Sequence, residues 1–235
     1  MRYKFTYDKA FLDANLLNLS SEEVKIILAT VIGNHNAIFW GYKPERLADT
    51  VKRLSNMGSI QVFSDICDSF NYAESEALYY LKNLNKYDSD TLKRIEMNSV
   101  NNTRCSQFIA TMEGTPTELL DKGLLKNFDV IFKCTDDNKP EVFISTLRDD
   151  IRRAKRYRGN WASGEYITGR CDNPYGYWYS SEALDRYKSF KYAHGNDIAL
   201  KYLKVARSLA DIEGSSMAFV SNWLMAKSLY TDGEY

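Results

Sequence analysis

Proline and histidine are scarce in this chain, with four prolines and two histidines in 235 residues. So few prolines leave long stretches free to form regular structure. The histidines, His35 in GNHNA and His194 in AHGND, lie in no recognisable nucleophile, metal or phosphate motif. No G-x-x-x-x-G-K-S/T, H-E-x-x-H or G-x-S-x-G is present, and Gly159, Gly164, Gly169 and Gly176 match no phosphate cradle. The cysteines, Cys67, Cys105, Cys134 and Cys171, are scattered without a CxxC pair or a histidine at ligand spacing, which argues against a zinc site. No apolar run approaches membrane-span length, and MRYKFTYDKAF lacks the apolar core of a signal peptide. These absences lead to the expectation of a soluble, cytoplasmic protein with reduced thiols, no metal, no cofactor, no membrane contact and no small-molecule ligand.

Net charge is also lacking: 31 Lys and Arg balance 31 Asp and Glu. A dedicated general nucleic-acid binder usually carries a basic excess. The balance is uneven along the chain, however. Between Leu147 and Arg207 there are 13 basic and 7 acidic residues, an excess of 13 − 7 = +6, while Met112–Glu141 and Ser208–Tyr235 are acidic. A basic face of this kind suits phosphate, or an acidic face on another copy of the chain.

What is present reads mainly as helix. Ser20 and Glu23 form a capping box ahead of Val24, Ile27, Leu28, Val31 and Ile32, and Gly33–Asn34 ends that run. Pro44 opens a second helix carrying Leu47, Val51 and Leu54. Further helices are expected over Ile60–Phe70, Ala73–Leu84 and Arg104–Met112, from Thr115-Pro116-Thr117-Glu118 onward, and from about Pro140 to Tyr157. Three more are expected over Ser181–Tyr192, Asp197–Ile212 and Ser215–Leu229. Arg2–Tyr7 alternates as a short strand. The fold class that follows is all-α, a multi-helix bundle with minor strand content. It is expected as one domain, with a soft boundary at 112–115, near Gly114, dividing two lobes.

Two constellations stand out. Counting from Ile66, the positions Cys67, Phe70, Asn71, Ala77, Leu81 and Leu84 suit a helix-turn-helix over 66–84, with Ala73–Leu84 as recognition helix. Glu74 and Glu76 on that helix suit a phosphate-lined groove poorly. The second is the basic-aromatic stretch from Arg148 to Tyr192. Arg152, Arg153, Lys155, Arg156 and Arg158 could meet nucleic acid or an acidic partner, and Trp161, Tyr166, Tyr175, Tyr177, Trp178 and Tyr179 could anchor a protein interface or stack on bases. Asp149 and Asp150 lie within helical reach of these arginines and could neutralise part of the charge.

The reading favoured by the sequence is a non-enzymatic assembly subunit, a viral particle component among the options, that meets itself or another protein through the aromatic-basic surface. A nucleic-acid-binding regulator using the helix-turn-helix and the Arg-rich helix is the alternative. An enzyme whose site is assembled only by folding is the third.

Overall fold

The computed structural model describes residues 16–55, 59–63, 77–100, 107–116, 122–136, 139–159 and 179–229. In chain order the elements are β1 (Leu16–Asn18), α1 (Ser21–Gly33), β2 (Ala37–Gly41), α2 (Glu45–Leu54), β3 (Ser59–Phe63), β4 (Ala77–Leu81), a short 3₁₀ turn (Leu84–Lys86), α3 (Ser89–Val100) and β5 (Gln107–Met112). They continue with α4 (Lys122–Leu125), β6 (Val130–Cys134), β7 (Glu141–Phe143), α5 (Ile144–Gly159), α6 (Ser181–His194), α7 (Asn196–Glu213) and α8 (Val220–Leu229).

The all-α expectation is overturned. Five strands form one sheet in the order β3-β4-β5-β2-β6, every pairing parallel. β1 and β7 make a separate antiparallel pair. Four segments expected as helices contain strands: β3 overlaps Ile60–Phe70, β4 lies within Ala73–Leu84, β5 within Arg104–Met112, and β7 opens the stretch from Pro140 to Tyr157, whose helix starts only at Ile144. The physical reason lies in burial. Strands of a parallel sheet are covered on both faces, so ALYYL and QFIATM are buried throughout and mostly apolar, without the alternation of a half-exposed strand. The helix-turn-helix over 66–84 falls with them, because Ala77–Leu81 of its recognition helix is β4, and residues 66–76 lie outside the described residues. Arg2–Tyr7 and Thr117–Glu118 also lie outside them. The sheet joins β2 and β5, before Gly114, to β6 after it. No helix among the described residues is long and apolar enough to cross a membrane.

Each face of the sheet has its own core. On one face Ala37, Phe39, Leu78, Tyr80, Ile109 and Phe132 pack with α1, α2, α5, α7 and α8. On the other, Ile38, Trp40, Tyr79, Phe108 and Ile131 pack with Ile95 of α3 and Leu124 and Leu125 of α4. Tyr79 and Phe108 stack across β4 and β5 at 4.9 Å between centroids. α1 starts at the expected capping box, with Glu23 N donating to Ser20 Oγ at 3.1 Å and Ser20 N to Glu23 Oε2 at 3.0 Å. It ends where Asn34 turns left-handed (φ 50°) and donates its N–H to Thr30 O.

Beyond that turn lies a buried polar knot at the amino ends of the strands. Asn36 Nδ2 donates to Asn127 O and its Oδ1 accepts from Phe108 N, while Gln107 Nε2 donates to Thr30 O and His35 O. His35 Nε2 lies 2.9 Å from Ser208 Oγ of α7, and His35 Nδ1 lies 3.5 Å from Asp129 Oδ2. Lys204 Nζ reaches Asp129 Oδ1 at 3.1 Å, and Lys201 Nζ donates to Leu125 O at 2.6 Å. Positions 201, 204 and 208 form one stripe of α7, so a single helix face is pinned to the strand edge. Burial alone would raise the Asp129 carboxyl, but the Lys204 ammonium and His35 hold it well below the usual carboxylate range. Burial pushes Lys201 down to about 8, against the pull of Asp129.

Three outcomes follow from the knot. A Cβ on Gly33 would lie 2.1 Å from His35 Nε2, with the rest of the ring close behind, so Gly33→Ala should cost at least about 2 kcal/mol in urea unfolding. Asp129→Asn leaves Lys204 and His35 facing no carboxylate, and should cost about 2–3 kcal/mol because Lys204 partly reaches solvent. The folded Lys201 loses its proton near pH 8, while the unfolded chain keeps it to about 10.4, so the unfolded state holds more protons in that window and stability contributed by this group rises with pH there. Comparing the unfolding free energy of the wild type with that of Lys201→Met from pH 7 upward should show this rise only in the wild type.

Candidate functional site

The strand order changes direction at β2, whose neighbours are β5 and β6. The chain leaving β2 enters α2, whose Leu47, Val51 and Leu54 join the first core. The chain leaving β5 reaches α4, whose Leu124 and Leu125 join the second. Two connections departing to opposite faces open a crevice outside the carboxyl ends of the two strands, where ligands of open α/β sheets bind.

The turn that roofs this crevice is Gly41-Tyr42-Lys43-Pro44. Gly41 has φ +90°, and a Cβ there would lie 2.7 Å from Cys134 O, so only glycine fits. Tyr42 N donates to the same Cys134 carbonyl at 3.0 Å. Lys43 is also left-handed (φ 45°), and α2 begins at Glu45 with no side-chain cap from Pro44. Tyr42 is exposed, with the Lys43 ammonium 5.0 Å from its ring centre. The Tyr42 hydroxyl, and more weakly the Asp136 carboxylate, raise the Lys43 ammonium above its ordinary range.

Three charged groups near this turn are engaged with one another. Glu23 is buried and takes Arg46 Nη2 at 2.5 Å and Lys139 Nζ at 2.7 Å. Arg46 also donates to Asn18 O, and Lys139 to Thr135 O, so the cation in the first turn of α2 is drawn back towards α1. Cys134 lies buried nearby, its thiol pushed up to about 12 by burial and by Glu23.

A phosphate loop carries its lysine and its serine or threonine six and seven residues after its first glycine. Counted from Gly41, those places hold Leu47 and Ala48, both fully buried. At the end of β4, where an acid would help hold a metal ion, Tyr80 is fully buried instead, with Lys52 and Lys82 at 5.3 and 5.7 Å from its ring centre. Burial, with Asp49 and Glu45 nearby, pushes the Tyr80 phenol up. Beside it Asn83 N donates to Thr111 Oγ1 at 3.1 Å, and Asn83 Nδ2 to Glu113 Oε1 at 3.0 Å. Among the described residues no group of three or more His, Cys, Asp or Glu converges on a metal position. The described residues therefore do not fit a metal-bound triphosphate held in the phosphate-loop manner.

The knot at the opposite edge has the composition of a Ser-His-Asp triad, yet Ser208 is fully buried within α7, and its neighbouring amides are spent in the helix. That geometry holds helices together and leaves a substrate no approach.

The surface residues singled out in the sequence are placed as follows. Arg152 and Arg153 are exposed on α5, each paired one turn back, to Asp149 at 2.9 Å and Asp150 at 2.7 Å. Lys155 is half-buried on the same helix, and the side chains of Arg156 and Arg158 lie outside the described residues. Tyr179 is buried in the chain's own core, donating its hydroxyl to Leu203 O at 3.2 Å. Trp161, Tyr166, Tyr175, Tyr177 and Trp178 lie outside the described residues, as does the acidic end from 230 to 235. Tyr42, Lys43, Tyr80 and Lys82 carry no motif, and only the strand order brings them to one edge.

No protein-family model and no curated protein matches the sequence. Solved structures do match in fold. A candidate ATPase from Cytophaga hutchinsonii superposes with a TM-score of 0.55 at 9% identity, over 90% of this chain and 81% of that one. A full-length MCM homolog from Methanopyrus kandleri gives a TM-score of 0.59 at 12% identity, over 89% of this chain and 52% of that one, so this chain spans about half its length. These likenesses correct the functional expectation. A parallel α/β fold shared with an ATPase candidate and an MCM homolog stands against the all-α, non-enzymatic viral assembly protein and the helix-turn-helix regulator expected from the sequence. At these identities, what the chain shares with the ATPase candidate and the MCM homolog is the parallel α/β fold.

Proposed function

We propose that the chain is a nucleotide-binding unit of ATPase type, with its ligand seated outside the carboxyl ends of β2 and β5. The observation that carries this reading is the reversal of strand order at β2, which sets the Gly41–Pro44 turn and the start of α2 over the crevice. The likeness in fold to a candidate ATPase supports it. In this reading Gly41 lets the backbone approach the ligand, the exposed Lys43 ammonium meets a phosphate, and the Tyr42 ring offers a face to the base. The start of α2 adds a favourable field for negative charge, which Glu45 in its first turn partly offsets.

With Leu47 and Ala48 in place of the phosphate-loop side chains, the nucleotide is held more weakly than in a complete loop, and the described residues offer no carboxylate placed to activate water. Isothermal titration of the full chain with ATP should show saturable binding. Lys43→Ala should weaken that binding several-fold while leaving the melting temperature unchanged, since the side chain is exposed. Absence of binding by the wild type, or an unaltered affinity in the variant, overturns the proposal.

A further inference from the structure

We infer that the nucleotide is taken at this crevice without a protein-held magnesium ion, the ammonium groups of Lys43 and Lys82 meeting its charge instead. The inference rests on reading the crevice as a nucleotide site and concerns the form of nucleotide it selects.

Magnesium asks for near-octahedral oxygen ligands, and in phosphate-loop enzymes a hydroxyl and a carboxylate from the protein supplement the phosphate oxygens and water. Among the described residues, most carboxylates at this edge are committed elsewhere. Asp49 is bound to Lys52 at 2.8 Å, Glu113 accepts from Asn83 at 3.0 Å, and Glu23 holds Arg46 and Lys139. Asp136 is exposed beyond β6, on the far side of the turn from Asp49 and Glu113. Glu45 is exposed in the first turn of α2, and a single carboxylate there makes no cage. Two hydroxyls at this edge are engaged as well: Thr50 Oγ1 donates to Arg46 O at 2.7 Å, and Thr111 Oγ1 accepts from Asn83 N at 3.1 Å.

The end of β4 adds a repulsive element. A metal ion there would take the place of the Tyr80 ring and meet ammonium groups that now stand 5.3 and 5.7 Å from the ring centre. Lys52 is neutralised by Asp49, whereas Lys82 has an exposed side chain at the strand end. Lys43 at the β2 turn and Lys82 at the β4 end thus flank the crevice from two sides, separated by β5 and by roughly 10 Å of sheet at the usual strand spacing. Two ammonium groups so placed attract the more negative, metal-free form of the nucleotide.

Titration of the full chain with ATP in excess magnesium and in EDTA tests this. The affinity should be equal in the two buffers or greater in EDTA. Affinity that magnesium improves by more than about threefold overturns the inference while leaving nucleotide binding intact. No binding in either buffer overturns both. Lys82→Glu places a carboxylate at the strand end in an exposed position. It should weaken binding in EDTA several-fold and make the remaining affinity respond to magnesium, and an unchanged affinity in EDTA also overturns the inference.

Discussion

The seating of α7 on the amino edge of the sheet depends on one carboxylate. Asp129, at the mouth of β6, faces His35 from the β2 side and Lys204 from α7, with Lys201 buried close by. A helix whose inward face carries two lysines and a serine would ordinarily be a poor choice to lay over a core, since burying an ammonium group is costly unless it is paired and hydrogen-bonded. Here the strand edge supplies the partners: one carboxylate, the backbone carbonyl of Leu125, and an imidazole fixed against Gly33. The apolar remainder of α7, including Leu203, Val205, Ala206 and Leu209, can then be buried against α1 and the sheet.

Covering both faces of a parallel sheet explains the rest of the architecture. Each strand needs an apolar layer above and below, so the chain must cross over with helices on alternating sides. Where the crossovers from β2 and β5 part, a crevice is unavoidable, and the residues lining it are set by topology rather than by neighbours in sequence. This is why an edge bearing Tyr42, Lys43 and Lys82 arises from two segments far apart in sequence.

Much of the helical part was legible in the sequence, because its signals are local. Ser20 with Glu23 marks the start of α1, Pro44 the start of α2, and the stripe Ile198, Tyr202, Val205, Ala206 and Leu209 marks α7. The sheet was harder to see. AIFWG, ALYYL, QFIATM and VIFKC are five or six residues long and covered on both sides, so they show neither helical nor alternating period. Their richness in aromatic and β-branched residues, interleaved with helices, was the available signal for a βα alternation. The site was less legible still. With Leu47 and Ala48 where a phosphate loop would show its signature, no motif search could find the β2 turn. The basic helix α5 drew notice instead, although Arg152 and Arg153 are answered one turn away by Asp149 and Asp150.

The stripe on α7 also limits how the molecule can vary. One residue of rotation turns a helix by about 100°, enough to swing Lys201, Lys204 and Ser208 together off the strand edge and carry Arg207 and Asp211 with them. The register of this helix is therefore locked from its inward face, and length changes must be absorbed before it begins. Gly195 suits that purpose: it joins α6 to α7 at φ +95°, and nothing lies within 4 Å of where its Cβ would stand. Related chains would be expected to differ in length at that joint and to keep the spacing of the stripe beyond it.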